Sequence, residues 1–130
     1  MPELPSVVPD PSLPGRVTIY EVGPRDGLQN EGAIVPLDVK AEFVQRLVAA
    51  GLPIVEATSF VHPKWVPQLA DAEELVSRLS MDGPVPLPVL VPNERGLDRA
   101  LVARCTHVGA ATGEQVKQGH LLLTVEASDA

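Results

Sequence analysis

Arg25, Asp26 and Gln29 fall within five positions of one another, near the end of the run V-T-I-Y-E-V-G-P-R-D-G-L-Q-N-E from Val17 to Glu31, and Glu56 lies further along the chain. A guanidinium is planar, always charged and rich in donors, so an arginine in a sheltered pocket suits an oxyanion or an enolate. An aspartate beside it could hold a hard divalent cation such as Mg²⁺ or Mn²⁺ through oxygen. Glu56 could orient Arg25 through a charge-assisted hydrogen bond. The same residues also suit a plainer arrangement, a structural Arg25–Glu56 ion pair with Asp26 capping its loop, and spacing alone does not separate the two. One aspartate is not a metal site. Further ligands are required, and no pair of histidines stands at ligand spacing.

The other reactive residue types carry less. His62, His107 and His120 are scattered and read as surface or loop histidines. Trp65, between Pro63 and Pro67, reads as a packing anchor for its loop. Cys105 has no base beside it and reads as a small buried residue rather than a nucleophile. The acidic stretch Asp71 to Glu74 reads as the solvated face of a helix.

The elements that must hold the four residues follow a regular order. Residues 1–15 contain five prolines and no periodicity, which predicts a flexible lead-in. Arg16 to Val22 predicts a first strand, stopped by Gly23-Pro24, so that Arg25, Asp26 and Gln29 fall on the loop after it. Pro36 suits the first turn of a helix, with Val39, Phe43, Val44, Leu47 and Val48 along one face and Gly51 just past its end. Pro53 to Ala57 predicts a second strand, nearly all apolar as a strand covered on both faces must be. Thr58 to Pro67 predicts a loop, Gln68 to Ser80 a second helix, Pro86 to Val91 a third strand and Asn93 to Ala103 a third helix. Alternation of this kind makes parallel strands, whose ends bring Asp26 and Glu56 to the same side of the sheet. Past Cys105 the rhythm fails, and the turn signals at Gly113 and Gly119 predict a β-hairpin-like tail over 106–130. The predicted organisation is therefore a lead-in over 1–15, an α/β domain over 16–105 and that tail.

Composition limits the functions such a domain can have. Apolar residues are 45% of the chain, which excludes a wholly disordered protein. The net charge of −7 argues against nucleic acid or an anionic membrane surface as partner. No apolar run approaches the roughly 20 residues of a membrane span, and the first residues lack the regions of a signal peptide. A single cysteine makes no internal disulfide, so a reducing cytoplasm is the expected compartment.

Three segments carry a resemblance. V-G-P-R-D-G-L-Q-N-E, V-E-A-T-S-F-V-H-P-K-W-V-P-Q-L-A-D-A and L-P-V-L-V-P-N-E-R-G are together similar to the amino-terminal part of hydroxymethylglutaryl-CoA lyases, over about residues 16–103. The resemblance implies a TIM (β/α)8 barrel, an acyl-CoA substrate, and a cation-dependent retro-Claisen cleavage of 3-hydroxy-3-methylglutaryl-CoA to acetyl-CoA and acetoacetate, a step of leucine degradation and ketone-body formation. It also implies roles: Arg25 on the enolate or carbonyl oxygen, Glu56 supporting Arg25, Gln29 lining the substrate site, and Asp26 as a ligand to Mg²⁺ or Mn²⁺. A full barrel takes about 250 residues, so three or four βα units are expected here, a partial barrel. The family's later histidine pair, asparagine and glycine-rich cysteine loop have no counterpart, which removes most of the cation's ligands and leaves the chain inactive alone. The tail has two readings: either Gly109 to Thr112 resembles the end of the family's fourth strand, or Gly113 to Ala130 resembles the turn of a biotinyl or lipoyl carrier, with Asp129 where the modified lysine would stand, so that neither modification is expected. The alternative to an enzyme is a non-catalytic fragment or interaction module with an exposed sheet edge, which predicts self-association.

Overall fold

The computed structural model describes residues 8–79, 83–103, 105, 107–108 and 123–124. A short strand β1 (Tyr20–Glu21) leads through a wide helical turn (Gly23–Gly27) to helix α1 (Leu37–Ala49). Strands β2 (Ile54–Val55) and β3 (Thr58–Ser59) follow, then a single tight turn (Pro67–Leu69) and helix α2 (Ala72–Arg78). Strand β4 (Val89–Leu90) and helix α3 (Glu94–Val102) complete the alternation. β5 (His107–Val108) and β6 (Leu123–Thr124) form an antiparallel pair. The remainder of the tail, with the carrier-like turn, lies outside the described residues, as do residues 1–7 of the lead-in.

β2 and β3 are two parts of one central run. Tyr20 and Glu21 pair in parallel with Ile54 and Val55 on one side, and Thr58 and Ser59 pair in parallel with Val89 and Leu90 on the other. Backbone bonds fill the gap: Glu56 N–H donates to the Glu21 carbonyl at 2.8 Å and Ala57 N–H to that of Pro88 at 2.9 Å. The central strand thus continues to Ser59, where the sequence predicts a loop. Pro86 and Pro88, in the run leading into β4, accept from Val55 and Ala57, so their missing N–H groups cost no bond on that side.

One face of this run packs on the helices. Val55 and Ala57 join Ala41 and Val44 of α1, Leu75 and Leu79 of α2, and Leu87 in one buried cluster. Phe60, Ala72, Val76, Val89, Ala100 and Cys105 make a second. Cys105 is buried, as expected of a small core residue, and desolvation pushes its thiol up to about 12. α3 approaches closely because Gly96 has no side chain; a Cβ there would stand 2.5 Å from the Phe60 carbonyl oxygen. Asn93 caps that helix, its Oδ1 accepting from Gly96 N–H at 2.9 Å.

Three expectations shift. The first strand contracts from Arg16–Val22 to two residues, because among the described residues its other edge has no strand to bond, and Val17 and Ile19 stay exposed. The buried stripe of α1 is Lys40, Ala41 and Val44, while Val39 is half exposed. Trp65 is 76% exposed and anchors nothing in the core; its ring lies 5.5 Å from that of His62.

Candidate active site

Gly23 to Gly27 places three of the four candidate residues. The Val22 carbonyl accepts from the N–H groups of Arg25, Asp26 and Gly27 at 3.1, 2.8 and 3.4 Å, winding the chain into a turn wider than an α-helix. Pro24 begins the turn and is buried. Gly23 lets the neighbours come close: a Cβ would meet Glu21 Oε1 at 2.9 Å and the Phe43 ring at 3.2 Å, and both side chains would have to shift. That Glu21 oxygen already accepts from Gly23 N–H at 2.7 Å. Asn30 Nδ2 donates to the Asp26 carbonyl at 2.8 Å and closes the loop. The Gly-Pro break therefore produces a wound turn that aims side chains at the strand ends, where the sequence predicts an open loop.

Glu56 sits two residues before β3 on the central strand. Since Val55 and Ala57 face the helices, alternation sends Glu56 to the opposite face, toward the turn. There the Arg25 Nε donates to Glu56 Oε1, with the Arg25 side chain 21% exposed and that of Glu56 9%. Burial to this degree removes most of the water that would otherwise compete for the pair. The Arg25 Nη1 reaches back to Asp26 Oδ1 at 3.3 Å. Asp26 itself is 54% exposed, so its carboxylate fronts solvent while Glu56 does not. Arg25, Asp26 and Glu56 are thus brought together. Gln29 is half buried just past the turn, and among the described residues no side-chain hydrogen bond ties it to the other three.

The described residues contain no group of three or more His, Cys, Asp or Glu placed to hold a metal. Asp26 alone supplies too few oxygens for a divalent cation, so the described residues do not complete a cation's coordination by themselves.

Several groups escaped the sequence reading. Lys40 is buried; its Nζ donates to Asp71 Oδ1 at 2.7 Å and to the Gln68 carbonyl. Gln68 Nε2 in turn holds the Glu31 carbonyl at 2.8 Å, tying α1 to the loop that follows Gln29. The acidic stretch 71–74 is accordingly not a bare solvated face. Asp71 takes Lys40, and Glu73 accepts from Arg99 Nε and Nη2 at 2.5 and 2.9 Å. Arg99 also donates to the Val61 carbonyl at 3.0 Å and lies 5.5 Å above the Phe60 ring. This clamp borders an open cavity of about 530 Å³, lined by Phe60, His62, Asn93 and Arg95 among others, and none of the four candidate residues lines it. The hydroxyls of Thr58 and Ser59 are buried without a hydrogen-bond partner. Only Asn93 carried a sequence signal, as a helix-capping residue.

A parallel α/β unit with an arginine and two carboxylates gathered at the carboxyl ends of its strands has the build of an enzyme's substrate corner. Comparison with known proteins makes the class particular. The chain is 50% identical to the mitochondrial hydroxymethylglutaryl-CoA lyase of Arabidopsis thaliana over 89% of its own length, and 45% identical to the cytoplasmic 3-hydroxy-3-methylglutaryl-CoA lyase of Rattus norvegicus over 89%. In structure it matches the HMG-CoA lyase of Bacillus subtilis with a TM-score of 0.65 at 47% identity, over 69% of this chain and 30% of that one. It matches an Acinetobacter baumannii HMG-CoA lyase, solved with coenzyme A and 3-methylmalate, with a TM-score of 0.63 at 40% identity, over 66% of this chain and 28% of that one. No family model matches. The chain is a homologue of hydroxymethylglutaryl-CoA lyases over most of its length, and it spans 25–40% of the length of such relatives.

The extent of that match bears on the tail. A stretch covering 89% of the chain cannot stop at Ala103, so the likeness to lyases runs past the point where the sequence suggested a change of kind. Nothing supports a biotinyl or lipoyl carrier there. Relatives include mitochondrial and cytoplasmic forms, and among the described residues no helix is long and apolar enough to cross a membrane.

Proposed function

We infer that this chain carries one corner of a hydroxymethylglutaryl-CoA lyase site, within three or four βα units of a TIM-type barrel. The observation that carries the reading is the Arg25–Glu56 pair at the strand ends, with Asp26 fronting solvent beside it. Arg25 uses its Nε on Glu56 and keeps guanidinium N–H groups for a ligand oxygen. An acyl-CoA whose thioester carbonyl gains negative charge on cleavage, as in a retro-Claisen step, presents such an oxygen. Glu56 holds the guanidinium in place, and Gln29 lines the substrate's approach. Asp26 would supply one oxygen ligand to a divalent cation, and the described residues do not supply the rest. The lone buried thiol suits a reducing compartment, and the cytoplasm is the reading we adopt.

Calorimetric titration with 3-hydroxy-3-methylglutaryl-CoA tests the corner directly. The chain binds it, and Arg25→Gln weakens binding about tenfold or more, the loss of one charge-assisted contact. Equal binding by both forms, or none by the wild type, removes the reading.

A second reading has its own observation. Val17, Ile19 and Tyr20, leading into and opening β1, are 72%, 55% and 41% exposed, and among the described residues no strand pairs with β1 on its other side. An apolar sheet edge invites another strand, which makes the chain an interaction module for a second copy of itself.

A further inference from the structure

Gln29 stands on the segment that leaves the Arg25 turn, and that segment needs a hold at its far end. Its near end is fixed by local bonds: Asn30 Nδ2 donates to the Asp26 carbonyl at 2.8 Å and Glu31 N–H to the Leu28 carbonyl at 3.2 Å. Residues 32–34 beyond it are exposed. Among the described residues, one hydrogen bond joins the backbone of 31–35 to another part of the fold, from Gln68 Nε2 to the Glu31 carbonyl at 2.8 Å. Gln68 lies in the tight turn Pro67–Leu69, reached by the loop that leaves the central strand. Lys40 of α1 grips that turn, its Nζ donating to the Gln68 carbonyl and, at 2.7 Å, to Asp71 Oδ1. Gln68 thus accepts from Lys40 through its backbone and donates to Glu31 through its side chain.

We propose that Lys40 is a positioning residue of the substrate corner: acting through Gln68, it sets where the Gln29–Glu31 segment stands beside Arg25. Lys40 is buried on a helix whose other buried positions, Ala41 and Val44, are apolar. An ammonium there gives up its water, and directed acceptors must offset that loss, whereas an apolar side chain would need none. What the ammonium adds is direction. Its N–H groups fix the 67–69 turn at one place against α1, where apolar packing alone would let it slide. The proposal rests on the acyl-CoA reading only for what Gln29 meets; the bonded path from Lys40 to Glu31 stands apart from it.

A lysine that served only to join α1 to α2 would need Asp71 alone, the residue that opens α2. The second acceptor belongs to the turn instead, and the same residue's side chain reaches back to the loop after Gln29. Two loops that leave neighbouring parallel strands are thereby joined on the side where such sheets bind ligands. Asp71 keeps part of its side chain in water, so replacing Lys40 does not strand a buried carboxylate.

Lys40→Met removes the anchor, Gln68→Ala removes the last link while leaving the Lys40–Asp71 pair, and the double variant removes both. Arg46→Gln, which breaks an exposed Glu42–Arg46 pair on the same helix, is the control. In amide NMR spectra of the ligand-free chain, the backbone signals of Gln29 to Glu31 and the Gln29 side-chain amide should move in both single variants and stay in Arg46→Gln. In titration with 3-hydroxy-3-methylglutaryl-CoA, each single variant should bind about threefold to tenfold more weakly, the size of one lost hydrogen bond. The double variant should bind no more weakly than the weaker single one, because both changes cut one path; a merely structural lysine would give losses that multiply. Signals of 29–31 that ignore Lys40→Met or Gln68→Ala, or losses that multiply in the double variant, overturn the proposal. Should circular dichroism show Lys40→Met unfolded, Asp71→Asn, which loosens the same ammonium from its partly exposed side, takes its place with the same expectations. A wild type that binds no 3-hydroxy-3-methylglutaryl-CoA removes the acyl-CoA reading, and the ligand-free spectra then decide this proposal by themselves.

Discussion

Arg25 has two carboxylates within reach and treats them differently. Glu56 is almost fully withdrawn from water and takes the Nε, whereas Asp26 is half exposed and meets the Nη1 at 3.3 Å. The first contact fixes the side chain, and the second leaves a carboxylate at the surface beside the guanidinium. Glu56→Ala should therefore cost about 2 kcal/mol in urea denaturation, because it strands a four-fifths buried guanidinium without its partner. Asp26→Ala, removing an exposed partner, should cost under about 1 kcal/mol. Equal costs would mean that burial does not decide which contact matters. Arg25, Asp26 and Glu56 could be chosen from the sequence because parallel strands end on the same side of their sheet. An R-D pair after one strand and a glutamate at the end of the next must then lie close together. Lys40 could not be chosen in this way. Nothing local marks a lysine in an amphipathic helix as buried when its partners, Gln68 and Asp71, come from a turn 28 to 31 residues away.

At the level of elements, the βα alternation was readable because each helix buries a stripe at helical spacing and each strand run is apolar. α2 follows this closely, burying Ala72, Leu75 and Val76 at helical spacing. β1 does not, since an apolar run becomes a strand only where a neighbour bonds it, and among the described residues Val17 to Ile19 have none. The Glu73–Arg99 clamp between α2 and α3 was hidden for the same reason as Lys40: its partners are 26 residues apart. Its hydrogen bond from Arg99 holds the Glu73 carboxyl below the usual range. A lowered carboxylate stabilises the fold above its unfolded value of about 4.5 and loses that contribution as pH falls through the folded value. Stability measured across this acid window should fall less steeply in Glu73→Gln than in the wild type. Identical acid limbs would show that the clamp does not join the two helices in solution.

For the whole molecule, the relatives decide what the fold alone leaves open. A chain spanning 25–40% of homologous lyases, with too few described ligands for a cation, should show no cleavage of 3-hydroxy-3-methylglutaryl-CoA with Mg²⁺ or Mn²⁺. Turnover that vanishes in Asp26→Ala would contradict that. The exposed apolar side of β1 should make the chain self-associate, and Val17→Lys with Ile19→Lys should shift its sedimentation toward monomer, since charge on an edge blocks strand addition. A wild type that sediments as a monomer at all concentrations would count against the open edge.

The central claim, that Arg25 with Glu56 is a working lyase corner, is tested most directly by transplantation. Residues 16–103 of this chain would replace the matching segment of a full-length homologous lyase, and the chimaera's kcat would be measured. Cleavage close to that of the parent, falling about 10²–10³-fold in Arg25→Gln, is the expected result. A well-folded chimaera without turnover, or one whose turnover ignores Arg25→Gln, would contradict it.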